Sequence, residues 1–259
     1  MSHPPAREPV GPVAAKGLIR KILERGRVTF SSHALEEMAD DDLSTVDCVN
    51  VLRGGIVEPG EFERGSWRYR VSHRTNLRGR GVSLQRRAGC GHGVEDGMNC
   101  IECGHRLVRS RQNRRYEAGG LPQVVLVGVE VRRCPQCGRE EVVIPRIEEL
   151  HRVIARALIG KGARLAAPEI RFLRKYLGWS TADFASRMGT ARETVSRWEG
   201  GAVPIGAQAD RLLRLLVATT APVKDYSPEE LTHIKERRIP ASARLSLTSG
   251  REGWRVKAA

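Results

Sequence analysis

Cys100-Ile101-Glu102-Cys103-Gly104 and Cys134-Pro135-Gln136-Cys137-Gly138 form two Cys-x-x-Cys pairs with 30 residues between them. Four thiolates brought together suit a soft, tetrahedral metal such as Zn2+. They leave the ion no open position, so the chemistry implied is structural rather than catalytic. The glycine after each second cysteine suits the positive φ of a tight knuckle. Redox dithiols are the rival chemistry, but such motifs usually come singly within a βαβ pattern, which is absent here. One structural Zn2+ per chain is therefore expected, held by Cys100, Cys103, Cys134 and Cys137. Cys48 is expected to be a small buried hydrophobe on a helix, and Cys90-Gly91-His92 offers only a stray set of ligands.

A second set of residues has the chemistry to read nucleic acid. Ser180-x-x-Asp183 and Thr190-x-x-Glu193 are consecutive helix-start signals with Gly189 between them, the pattern of a helix-turn-helix. The second of these helices would enter the major groove by its N-terminal half. Its positions outside the core, Thr190, Arg192, Glu193, Thr194, Ser196 and Arg197, can hydrogen-bond to bases and phosphates. Val195, Trp198 and, on the following helix, Leu212, Leu215 and Leu216 are expected in the core. The chain has a formal net charge of +14, and residues 149–219 alone carry 12 Lys/Arg against 6 Asp/Glu. A basic surplus of this kind suggests a polyanionic partner.

Around these two sets the chain reads as a multidomain α+β protein. Residues 1–15 are expected to be disordered, and residues 16–72 to form a small α+β unit. Within that unit, Ser31 or Ser32 and Ser44-x-x-Asp47 start helices, and Trp67 to Val71 makes a strand. Residues 73–97 read as an Arg/Gly-rich linker: from Arg68 to Arg87 there are seven arginines and no acid, a composition that does not make a core strand. Residues 98–146 form the ribbon, with the β-rich run from Gln123 to Val131 carrying the second knuckle back to the first. Residues 147–162 are a connecting helix with a hinge at Gly160-Lys161-Gly162. Ile147, Leu150, Ile154 and Leu158 recur there at helical steps. Residues 163–219 are the all-α helix-turn-helix unit, and residues 220–259 a polar tail with one helix from Pro228 to Arg237. No apolar run is long enough to span a membrane, and four thiols on a metal fit a reducing cytoplasm.

Two resemblances join these pieces. Phe30-Ser31-Ser32-His33-Ala34-Leu35-Glu36-Glu37-Met38, Gly54-Gly55 and Trp67-Arg68-Tyr69-Arg70-Val71 resemble part of a family of small toxin-type domains related in shape to RelE-like ribonucleases. His33 is the candidate catalyst in that stretch, with Glu36, Glu37 or Arg70 as helpers. We expect it instead to be a helix-starting residue with a structural hydrogen bond, and expect no catalysis. Gly178-Trp179-Ser180, Phe184-Ala185 and Val195-Ser196-Arg197-Trp198-Glu199-Gly200 are similar to a Cro/repressor-type helix-turn-helix. Preceded by the paired cysteines, they make residues 98–219 resemble the MqsA/YgiT antitoxin family. That resemblance implies a dimeric repressor of its own operon, with base contacts at Glu193 and Arg197 and a ribbon that neutralises a small ribonuclease toxin. The alternative it leaves open is a latent fusion of toxin and antitoxin, in which the front end is the endoribonuclease.

Overall fold

The structure is a computed structural model that describes residues 10–63, 66–72, 82–86, 99–220, 231, 234 and 241–257. Helix α1 (Pro12–Arg25) buries Ala15, Ile19 and Leu23. It begins inside the stretch expected to be disordered because Pro12, lacking an N–H, loses nothing in a first helical turn. Strand β1 (Arg27–Ser31) alternates, with Val28 and Phe30 inward. Ser31 accepts from the Ala34 N–H at 3.2 Å and caps α2 (Ser32–Asp40). Before α3 (Thr45–Gly54), the Asp47 carboxylate accepts from the Ser44 N–H at 2.8 Å, satisfying a donor that the helix leaves orphaned.

Strands β2 (Ile56–Val57), β3 (Glu61–Glu63) and β4 (Ser66–Ser72) follow. The expected linker contains a further strand, β5 (Val82–Arg86), which pairs antiparallel with β4 from Trp67 to Val71. Density of arginine and glycine across 73–97 hid the alternating Val82-Ser83-Leu84 within it. The rest of that span lies outside the described residues, as do residues 1–9, Cys90 and most of the helix expected at Pro228 to Arg237.

A second sheet is built on β7 (Leu121–Arg133), with β6 (Val108–Tyr116) on one edge and β8 (Glu140–Pro145) and β9 (Leu245–Gly250) sharing the other. Val124, Leu126, Val129 and Val131 of β7 are all buried, although strict alternation would turn the second pair outward. One extra residue corrects the parity. Val127 and Gly128 stand opposite Asn113 alone, Gly128 takes φ +65°, and its N–H donates to the Asn113 side-chain oxygen at 3.0 Å. This is a bulge of the kind that needs a left-handed glycine.

Three strands join this sheet from outside the expected ribbon. β1 pairs with β8 through five positions, Arg27↔Pro145 to Ser31↔Glu141. The polar tail supplies β9, parallel to β7, and β10 (Gly253–Val256). Trp254 fastens that hairpin by donating to Pro145 O. The front end and the ribbon therefore share one sheet rather than standing as separate units. One hydrophobic cluster runs from Ala15 through Val131 and Leu158 to Leu213.

Helix α4 (Ile147–Ile159) buries Ile147, Leu150, Ile154 and Leu158 completely. Four helices follow: α5 (Ala167–Tyr176), α6 (Thr181–Arg187), α7 (Arg192–Glu199) and α8 (Ala207–Thr220). The connection expected to be a hinge is stapled. Buried Arg214 of α8 donates to Asp210 at 2.7 Å and to the carbonyls of Ile159, Lys161 and Ala163 at 2.8, 2.6 and 2.7 Å.

A buried polar chain locks the front end to the rest. Thr45 Oγ1 lies 2.7 Å from the Tyr116 hydroxyl, which lies 2.8 Å from His151 Nε2. Desolvation pushes the His151 imidazole down to about 3, so it is neutral and free to accept at Nε2. The unfolded histidine titrates near 6.5. Between these values the unfolded chain binds a proton that the folded chain refuses, so stability falls as pH falls through that window. Urea midpoints of the native chain should therefore drop from pH 6.5 to 5 more steeply than those of His151→Gln; equal slopes would contradict the buried neutral state.

Candidate metal centre and nucleic-acid interface

The two cysteine pairs form matching knuckles. In the first, the Gly104 N–H donates to Cys100 O at 2.9 Å and the Cys100 N–H to His105 O at 2.7 Å. In the second, the Gly138 N–H donates to Cys134 O at 3.0 Å and the Cys134 N–H to Arg139 O at 2.8 Å. Gly104 and Gly138 take φ of +74° and +73°, a region in which a side chain would be strained. The isolated bridge Asn99↔Arg106 closes the first knuckle, and β7 and β8 flank the second.

All four Sγ atoms lie within 4.8 Å of one another, with Cys103 and Cys134 at 3.3 Å and Cys100 and Cys137 at 3.6 Å. Tetrahedral Zn–S bonds of about 2.3 Å would set neighbouring sulfurs about 3.8 Å apart, so the donor set has the size for one ion. Together the four cysteines can hold a metal ion. Among the described residues their apolar surroundings are small, Leu107 packed with Cys100, Cys103 and Cys134, and separate from the main core.

The helix-turn-helix pair is α6 and α7. Ser180 Oγ accepts from the Asp183 N–H at 3.1 Å while Asp183 accepts from the Ser180 N–H at 3.0 Å. The Ser180 hydroxyl, foremost, at 2.6 Å from Oδ2, and then the Ser180 N–H hold the Asp183 carboxyl below its ordinary value. Gly189, at φ +61°, makes the turn. The second expected cap fails: Ala191, not Thr190, is the N-cap of α7, with no side-chain bond. Thr190 is used earlier, its N–H donating to Ala185 O at 3.0 Å as α6 closes. Helix α7 buries Val195 and Trp198, exposes Arg192, Glu193, Ser196 and Arg197, and leaves Thr194 half-buried. The structure thus brings five of the six sequence-derived contact residues onto α7 and leaves Thr190 in the turn before it.

The end of α7 is clamped by a buried, two-pronged ion pair. Arg174 of α5 donates to Glu199 at 2.5 and 2.9 Å and to Trp179 O at 2.8 Å. Neither residue stood out in the sequence, although Arg174 sits within the buried stripe of α5. Lys175, which its position beside the helix-turn-helix offers as a phosphate contact, is already committed. It pairs with Asp47 of α3 at 2.6 Å, and Arg171 nearby reaches Asp42 at 3.3 Å. The apolar face of α8 is also turned by one position. Leu213 and Val217 are buried, whereas Leu212 and Leu215 are exposed and Leu216 is half-buried. Asp210 and Arg214 occupy the inner face and rotate the helix.

In the front end, Cys48 is buried as expected, beside Met38 at 3.6 Å, and desolvation, foremost, raises its thiol to about 12. His33 stands exposed in the first turn of α2 and makes no hydrogen bond among the described residues. Its expected structural bond is therefore absent there. Among the described residues no helix is long and apolar enough to cross a membrane. No family model, curated protein or solved structure matches the chain in the comparisons made.

Because the cluster round the cysteines is separate from the main core, metal removal should act locally. A strong chelator, or Cys134→Ser, should abolish amide-exchange protection in residues 99–108 and 133–140 while β1, α4 and α8 stay protected. Loss of protection throughout would mean that the metal holds the whole fold, and unchanged protection would mean that no metal is bound.

Proposed function

We propose that the chain is a sequence-specific DNA-binding repressor of the antitoxin class, with Zn2+ in its four-cysteine site. The observation that carries this reading is the outward face of α7. Arg192, Glu193, Ser196 and Arg197 are exposed together on a helix anchored from behind by Val195, Trp198 and the Arg174–Glu199 pair. Arg197 and Glu193 are one helical turn apart and share a face. An arginine fork suits guanine, and a glutamate can accept from cytosine N4. Arg192, at the helix start, suits a phosphate. Four thiolates with no open position suit structural zinc, and thiols of this kind persist in a reducing cytoplasm.

A homodimer fits the same reading. Leu212, Leu215, Leu216 and Thr219 follow one another at the i, i+3, i+4, i+7 steps of a helix-packing seam, and α8 leaves Leu212 and Leu215 38 % and 40 % exposed. Two copies joined there would present two recognition helices to two half-sites. The chain acts in this reading as a binding protein and not as an enzyme.

A second reading concerns the toxin. A separate small toxin protein was the partner implied by the antitoxin resemblance, but among the described residues the outer edge of β8 is taken by the chain's own β1. The Thr45–Tyr116–His151 chain and the Lys175–Asp47 pair add to that docking. This favours a fused toxin and antitoxin whose front end is held in cis. Release of residues 10–72 by proteolysis would then be needed before any ribonuclease activity of His33 could emerge.

Arg197→Ala should weaken operator binding by about 1–3 kcal/mol and leave non-specific binding nearly intact. Arg192→Ala should weaken all duplexes alike, and Lys175→Ala should leave DNA affinity unchanged while lowering stability. A base preference unchanged in Arg197→Ala, measured by competition among single-base operator variants, would contradict this placement of the recognition helix. Leu212→Glu with Leu215→Glu should give a monomer by sedimentation; a persisting dimer would place the seam elsewhere.

A further inference from the structure

The acids of the helix-turn-helix unit are few, and all but one have a partner within the chain. Residues 163–219 contain five: Glu169, Asp183, Glu193, Glu199 and Asp210. Glu169 takes Lys161 and two backbone N–H groups. Asp183 is bonded to Ser180 at the start of α6. Glu199 is clamped by Arg174, and Asp210 by Arg214. Glu193 is exposed, and its side chain makes no hydrogen bond or ion pair among the described residues. Arg197 is spaced to pair with it, yet it too is exposed and without a side-chain partner among the described residues.

A free carboxylate on this surface carries a cost once a polyanion arrives. It repels phosphate, and it repels most base edges as well. In the major groove guanine presents O6 and N7, and thymine presents O4, all of them acceptors. Only the amino groups of cytosine and adenine donate there. Adenine N6 lies beside the acceptor N7, which would face the same carboxylate. Cytosine N4 has no acceptor beside it in the groove. One base therefore matches Glu193, and the other three oppose it. A rise of about 1.5 Å per residue sets Glu193 and Arg197 about 6 Å apart along α7. That is just under two base steps of about 3.4 Å. The cytosine and the guanine that suits the Arg197 fork thus fall within about two base pairs of each other.

We propose that Glu193 is the specificity-determining residue of α7. It accepts from N4 of one cytosine in each half-site, and it penalises every other base at that position and every non-specific register. This inference deepens the DNA-binding reading given above and rests on it. A glutamate in the first turn of a helix also favours the helix start, but that role alone would leave base preference untouched.

The test uses the full-length, zinc-loaded chain with its Glu193→Ala and Glu193→Gln variants, each selecting from a pool of random duplexes. The native chain should select a cytosine within two base pairs of a guanine. Glu193→Ala should lose that cytosine and bind unselected duplex more tightly, because a like charge facing the phosphates is gone. Glu193→Gln should move the choice to adenine, whose N6 and N7 a side-chain amide matches. One N4-methylcytosine at the selected position replaces the groove-facing amino hydrogen with a methyl group. It should weaken the native chain about ten- to a hundredfold and leave Glu193→Ala unaffected. A Glu193→Ala variant that keeps the native base preference would reduce Glu193 to a helix-start residue. That result would overturn the proposal and leave the α7 reading standing. A native chain indifferent to N4-methylcytosine would do the same, with no variant required to fold. A native chain with no sequence preference on any duplex would overturn the reading role of α7 and this inference with it.

Discussion

A single buried guanidinium determines how the parts of this chain relate. Arg214 is 1 % exposed, and its partner Asp210 is fully buried. Burying such a pair carries a desolvation penalty of several kcal/mol per ion, which is offset only when the remaining donors and acceptors are satisfied. Here they are: Arg214 meets one carboxylate and three carbonyls, and the other Asp210 oxygen accepts from the Leu165 N–H at 2.7 Å. The three carbonyls belong to the end of α4 and to the glycine-containing segment after it. That segment, flexible by composition, is thereby fixed, and the helix-turn-helix is carried on α4 at a set angle.

The same logic of borrowed partners runs through the rest of the fold. The ribbon sheet does not complete itself: β8 takes β1 from the front end, and β7 takes β9 from the tail. The front end in turn buries Thr45 against the Tyr116 hydroxyl, which is itself bonded to His151. Glu169, fully buried, gathers Lys161 and the Ala166 N–H from the α4–α5 connection and the Ala243 N–H from the tail. Each such group would carry an unmet desolvation cost if its partner segment moved away. Among the described residues the four-cysteine tip forms a cluster apart from this shared core, so a metal there can act as a local staple.

Local signals were legible in the sequence where they rest on neighbouring residues. The knuckle glycines, the Ser44–Asp47 and Ser180–Asp183 caps, and the stripe Ile147, Leu150, Ile154, Leu158 all depend on spacing within one turn or one helix. What stayed hidden depends on distant partners. Nothing in Val28-Thr29-Phe30 names β8 as its neighbour, and the tail strand Leu245–Gly250 is too polar to suggest that it sits beside β7. Lys175 reads as a free cation until Asp47, 128 positions away, is placed beside it. Leu212 and Leu215 read as core because leucine in an amphipathic helix usually is. The charged pair Asp210 and Arg214, four apart in an apolar run, was the available clue that the inner face lay elsewhere. Thr190 is not the cap because the first bonds of α7 run to Ala191 O, which leaves it one residue before the helix.

The account turns on the outward face of α7 being a DNA-reading surface carried by a dimer. A footprint of the purified, zinc-loaded chain on the DNA upstream of its own gene tests this most directly. It should protect two related half-sites with centres about one helical turn, or a multiple of a turn, apart, as paired recognition helices require. No protection at any concentration that saturates a duplex of other sequence, or protection without a repeated half-site, would contradict it.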